Sequence, residues 1–164
     1  MREKLVIVPR QRTFGKKLLT IVLFVATCAL FLLAIPVPVL FTIPAVLMAV
    51  IWYFVTFRSD IEYEYTYYDG ELRFAKIRAK SKRKNLGCVE MENVTIIAPK
   101  GDRSVYKFEN DSQMDHRDLT SAALGAKVYE LVFKGEKGMC RYEFEPDEDM
   151  LDEIMVKYPR SVVK

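Results

Sequence analysis

Ile61-Glu62-Tyr63-Glu64-Tyr65-Thr66-Tyr67-Tyr68-Asp69-Gly70-Glu71-Leu72-Arg73-Phe74 is the stretch on which the reading of the fold turns. Tyr63, Tyr65 and Tyr67 alternate with Glu62, Glu64 and Thr66, the period of a half-buried β-strand rich in residues that favour strands. Asp69-Gly70 supplies a two-residue hairpin turn, and a turn of that length dictates the pairing. Tyr68 then lies opposite Glu71, Tyr67 opposite Leu72 and Tyr65 opposite Phe74. One face, formed by Tyr63, Tyr65, Tyr67, Leu72 and Phe74, is expected to be core.

Past Phe74 the apolar phase moves from even to odd positions, since Ile77 and Ala79 succeed Leu72 and Phe74. A bulge near Ala75-Lys76 would produce that shift, and Lys76, Arg78, Lys80, Lys82 and Lys84 would then project from the solvent face. The first strand can run about 26 Å before it turns, so the second must return to its starting level. Continued pairing would bring Ser81 near Arg58. Lys80, Lys82, Arg83 and Lys84 are expected there, and each base is worth about 1 kcal/mol beside anionic headgroups.

That level matters because of what precedes it. The 40 residues between Lys17 and Arg58 contain no Asp, Glu, Lys, Arg or His, a helical length of roughly 60 Å against the ~30 Å hydrocarbon core of a bilayer. A wholly soluble chain is excluded. The apolar run is too long for a signal peptide, so no cleavage is expected. Val25-Ala26-Thr27-Cys28 is a poor lipidation box, with Thr27 before the cysteine. Pro36 and Pro38 mark a break near the centre, giving spans of Leu18 to Ile35 and Pro38 to Phe57. Pro44 either kinks the second span or begins it with Thr42 as cap.

Arg2, Lys4, Arg10, Arg12, Lys16 and Lys17 face only Glu3 before the first span, and Arg58 with further bases follows the second. Both termini are therefore expected to be cytoplasmic, in a multi-pass protein of the cell membrane. Trp52 and Tyr53, a turn before the cytoplasmic end, suit an aromatic membrane anchor. Polar groups inside the spans are too few for a transport site. The division is a basic segment over 1–17, a helical hairpin over 18–57 and a cytoplasmic domain over 58–164.

Within that domain, Cys88 to Met91, Val94 to Ala98 and Ser104 to Phe108 read as short strands. Asn110 to Ala126 reads as a long loop with room for a helical turn around His116 to Leu124. Lys127 to Lys134 and Met139 to Phe144 form a hairpin about Gly135-Glu136-Lys137-Gly138, for seven strands in all. Pro146 at a first helical position, Asp147, Glu148 and Asp149 near the helix dipole, and Met150, Leu151, Ile154, Met155 and Tyr158 on one face define a terminal helix ended by Pro159. Residues 61–158 are expected to fold without the anchor.

Catalytic parts are missing. His116 is the only histidine and reads as a loop residue; Cys28, Cys88 and Cys140 have no paired spacing, so no metal site or nucleophile system is expected. No glycine-rich phosphate motif occurs, and no cofactor is expected. Glu62 and Glu64 are expected to pair with Arg73. Residues 58–164 hold 19 basic and 21 acidic residues, so nucleic acid is not an expected partner.

Seven short strands and a closing helix resemble the pleckstrin-homology-like fold, an antiparallel barrel capped by its C-terminal helix. A two-span hairpin followed by Ile61 to Leu72, a basic run, and Tyr142-Glu143-Phe144-Glu145-Pro146-Asp147-Glu148-Asp149-Met150-Leu151 is similar to an uncharacterised family of small two-span membrane proteins of Gram-positive anaerobes with such a domain. The resemblance implies lipid-surface or protein contacts, not catalysis. Phosphoinositide-binding members of the fold gather bases at the first hairpin loop, whereas this loop is Tyr68-Asp69-Gly70-Glu71, which argues against inositol phosphates. The expected function is a membrane-anchored, cytoplasm-facing interaction module with Lys76, Arg78, Lys80, Lys82, Arg83 and Lys84 on anionic lipid. The alternative is a scaffold or accessory subunit that binds a membrane protein or a second copy of the chain.

Overall fold

The computed structural model describes residues 3–57, 60–109, 113–136 and 138–164. The expectations that involve Arg2, Arg58 and Lys137 lie outside these residues. Two helices, α1 (Phe14–Ala34) and α2 (Pro38–Phe57), are long and apolar enough to cross a membrane. Pro38 opens α2, where its missing N–H costs nothing, and Pro44 lies inside the same helix. The helices touch through small or flat surfaces. Thr27 and Ala45 are buried, Thr27 returns its hydroxyl to the Leu23 carbonyl at 2.7 Å, and the rings of Phe24 and Trp52 meet at 5.4 Å. Their outer surfaces are almost wholly exposed apolar side chains.

The segment before α1 is more than a basic leader. Lys4–Pro9 forms strand β1, which pairs antiparallel with β2 (Ile61–Tyr68), so that Val8 faces Tyr63 and Val6 faces Tyr65. The helical hairpin is thus inserted between two paired strands, and both of its ends meet the same end of one sheet. β2 continues into β3 (Glu71–Arg78) with the pairing expected from Asp69-Gly70, including Tyr65 opposite Phe74. Both turn residues have positive φ, 48° and 86°. A Cβ at Gly70 would also lie 2.8 Å from the Tyr158 hydroxyl, so that side chain would have to shift to admit one.

The bulge falls one strand later than expected. β2 and β3 pair without interruption as far as Ile61 opposite Arg78, whereas the register against β4 (Lys82–Glu90) slips from Phe74–Gly87 to Ala75–Asn85, leaving Leu86 extra. Ala75 and Ile77 therefore stay on the face opposite the core. Order β1-β2-β3-β4 makes the first sheet.

The second sheet has the order β5-β7-β8-β6, from β5 (Val94–Pro99), β6 (Asp115–Asp118), β7 (Tyr129–Gly135) and β8 (Gly138–Phe144). Among the described residues, the expected closed, antiparallel seven-stranded barrel is replaced by eight strands in two four-stranded sheets. Ser104 to Phe108 is not a strand; its end forms the single turn α3 (Tyr106–Glu109). The long loop contains β6, which runs parallel to β8 instead of forming a helical turn at His116. Its polar sequence hid it from a search for alternating apolar residues.

The sheets enclose an aromatic core in which Tyr65, Phe74, Tyr142 and Phe144 meet edge to face at 5.6–5.8 Å. Helix α4 (Glu148–Lys157) inserts Met150, Leu151 and Ile154 into that core. Its cap is Asp147, which accepts the Met150 N–H at 2.8 Å, so Pro146 precedes the helix instead of opening it. The last residues protect the β5 edge: the Ile97 N–H donates to the Ser161 carbonyl and the Val163 N–H to the Ile97 carbonyl, at 2.7 and 2.8 Å.

Candidate membrane-facing basic site

The turn between β3 and β4, Ala79-Lys80-Ser81, carries the candidate bases back to the end of the helical hairpin. It is held there by the Ala79 N–H, which donates to the Asp60 carbonyl at 2.9 Å. Ala79 and Lys80 both adopt positive φ, 50° and 54°, without being glycine. Lys76 pairs with Lys84, and Arg78 with Lys82, across the two strands. Because β2 and β3 have no bulge, these four continue the face of Tyr63 and Phe74, not the opposite face. Lys76 confirms the direction, with its Nζ 5.7 Å from the Tyr63 ring centre. Burial, followed by the charges of Arg78, Arg10, Lys84 and Lys16, pushes the Lys76 ammonium below its ordinary value.

Arg83 separates from the others. It projects from the other face and pairs with Glu64, which is buried. The expected pairing of Glu62 and Glu64 with Arg73 is replaced, because Arg73 binds its strand neighbour Glu71 at 2.6 Å. Lys80 sits exposed at the turn. Among the described residues, none of Lys16, Lys76, Arg78, Lys80, Lys82 or Lys84 forms an ion pair with an acid.

Two arginines that the sequence reading assigned only to general positive charge serve as clamps. Arg10 donates to the Tyr63 hydroxyl and to Asp118, both at 2.8 Å, joining the two sheets. Arg12 donates to Asp60 at 2.6 Å and to the Thr56 carbonyl at 2.7 Å, tying the chain before α1 to the end of α2. The signal that could have exposed them was the apolar alternation Leu5-Val6-Ile7-Val8 just upstream, a strand that places Arg10 beside β2.

Trp52 and Tyr53 diverge as well. Trp52 packs on Phe24 of α1, and its Nε1 is buried with no hydrogen-bond partner among the described residues. Tyr53 faces out and stacks on Phe57 at 4.8 Å. With Phe54 and Ile61 these rings line a groove of about 670 Å³ together with Lys16, Arg78, Ala79, Ser81 and Lys82.

A larger cleft of about 800 Å³ opens between β4 and the β6–β8 side of the second sheet, with Cys88, Arg117, Cys140 and Tyr142 in its wall. The cysteines are free thiols, and burial pushes both above their ordinary value, away from the reactive thiolate. His116 binds Glu143 at 2.9 Å and Glu143 also holds Lys100 at 2.6 Å, so this group is a tether between segments. Asp147, Glu148 and Asp149 are accounted for by the helix start. No group of three metal-ligating side chains occurs among the described residues.

Two packed antiparallel-rich sheets closed by a C-terminal helix, with bases at one end, are the frame of a PH-like domain, a class that is generally non-catalytic. The chain belongs to the family described as Bacterial PH-like domain (DUF6106), whose model matches residues 4–164. That match begins at the first residue of β1, so the helical hairpin lies within it. No curated protein and no solved structure matches the chain.

Proposed function

We propose that the protein is a non-catalytic interaction module anchored by residues 18–57 in the cell membrane, with both termini and the sheets on the cytoplasmic side and the β3–β4 hairpin resting on anionic headgroups. The observation that carries this reading is the placement of Lys16, Lys76, Arg78, Lys80, Lys82 and Lys84, without acidic partners, around the end of two apolar helices. Pairing of β1 with β2 supports the two-span topology independently of charge, because strands that share hydrogen bonds must lie on one side of a bilayer.

Reconstitution into vesicles tests the headgroup contact. Amide exchange at Ala79–Lys84 should be slower in anionic than in zwitterionic vesicles, and the difference should fade as salt rises. Equal exchange in both at low salt would shift the reading to the scaffold or accessory subunit. Reporter fusions test the sidedness: a signal from outside the cytoplasm at either terminus would refute it.

A further inference from the structure

The groove beside α2 has features that a diffuse basic surface does not require. Its cations come from three elements, Lys16 from α1, Arg78 from β3 and Lys82 from β4, and Arg78 and Lys82 stand directly opposite one another across the strands. Like charges so placed repel, and among the described residues neither forms an ion pair with an acid, since the nearby Asp60 and Glu64 pair with Arg12 and Arg83. The same groove is lined by Tyr53, Phe54 and Phe57, each a little over half exposed, from the last turns of a helix suited to a bilayer.

A ligand complementary to both the bases and the rings is an amphiphile with a phosphate at one end and hydrocarbon at the other. A free phosphate would neutralise the bases but make no use of the three rings beside them. An apolar peptide would cover the rings but leave the bases uncompensated. We propose that this groove binds one anionic membrane phospholipid, with its phosphate among Lys16, Arg78 and Lys82 and an acyl chain along Tyr53, Phe54 and Phe57. The inference rests on the membrane-facing reading above and replaces a general electrostatic contact with a single site. The Lys76 ammonium beside the groove is depressed first by burial and then by neighbouring charges that include Arg78 and Lys16, which agrees with uncompensated bases there.

The full chain, purified in a neutral detergent, is titrated with spin-labelled phosphatidylglycerol and, separately, with labelled phosphatidylcholine. Phosphatidylglycerol should saturate at one per chain. Replacing Arg78→Gln with Lys82→Gln should weaken it about thirtyfold, from two bases each worth a factor of roughly five. Lys16→Gln, on a different element, should weaken it in the same direction. Lys80→Gln with Lys84→Gln, bases of the same hairpin that do not line the groove, should weaken it several-fold less. Equal weakening by both double variants would overturn the single site while leaving the headgroup contact standing. No weakening by any variant would overturn both. Equal binding of phosphatidylcholine would remove the phosphate specificity, and displacement by millimolar inorganic phosphate would overturn a lipid as the ligand.

Discussion

The first sheet is built from strands that follow one another in antiparallel order, whereas the second takes in an edge strand, β6, that side chains from distant segments help to fasten. In β1-β2-β3-β4 every strand pairs antiparallel with its predecessor in the order of strands, and tight turns close two of the three connections. In β5-β7-β8-β6 the edge strand β6 reads Asp115-His116-Arg117-Asp118, without an apolar residue, and lies parallel to β8. Polar groups with distant partners keep it in place: His116 on Glu143, the Arg117 guanidinium on the Leu86 carbonyl at 3.0 Å, and Asp118 on Arg10. The Tyr65 hydroxyl, whose pKa burial pushes far up, donates to the Leu119 carbonyl at 2.5 Å just beyond it. Several of these contacts reach the first sheet, so β6 both ends one sheet and fastens it to the other. Regular alternation is therefore needed only where successive strands do the organising.

The largest effect should come from breaking the first sheet at β1. A fragment beginning at Ile61 loses Val8 from the core, loses Arg10 from Tyr63 and Asp118, and bares the edge of β2. Against a version in which residues 14–57 are replaced by a short flexible linker, it should be less stable by about 3 kcal/mol or more. The linked version should melt cooperatively as a soluble monomer. Equal melting temperatures would show that β1 contributes nothing, and would favour the expectation that the part from Ile61 onward is self-sufficient.

A smaller and more local effect should follow from Glu143→Ala. This side chain is buried, and its removal frees Lys100 and His116 at once. Both partners are substantially exposed and can be hydrated, so a cost of about 1–2 kcal/mol is expected. Amide exchange at Asp115–Asp118 should rise while exchange in β2 and β3 stays slow. A uniform rise across both sheets would mean that the second sheet is not separately tethered.

The same contrast explains what could be read from the sequence. Tyr63, Tyr65 and Tyr67 against Leu72 and Phe74, with Asp69-Gly70 between them, encode a pairing that depends only on neighbours, and it is found in that register. The apolar run and its Pro36-Val37-Pro38 break likewise specify two helices, one beginning at Phe14 instead of Leu18. β1 was obscured because its partner lies beyond the whole helical hairpin, so six residues had to be recognised without a neighbouring strand. β6 was obscured because its position depends on Arg10, Leu86 and Glu143, none of them close in sequence. At the basic site, residue types and location were legible. The division of Arg83 from its neighbours was not, since one extra residue in β4 and a buried Glu64 decide it.

The smallest effect concerns the two turns of the first sheet. Asp69-Gly70 suits its positive φ values, whereas Lys80 takes φ 54° with a side chain that opposes it. A left-handed conformation costs an ordinary residue about 1–2 kcal/mol, and glycine returns part of that gain through its greater freedom when unfolded. Lys80→Gly should therefore stabilise the protein by about 0.5–1 kcal/mol, seen as a higher melting temperature of the full chain in neutral detergent. Lys80→Ala removes the same charge but keeps the strain, so it should gain nothing through the backbone and separates the two causes. If both variants melt alike, backbone strain is not what distinguishes this turn. If Lys80→Gly alone melts higher, the native residue holds an unfavourable conformation at this turn beside the helix end.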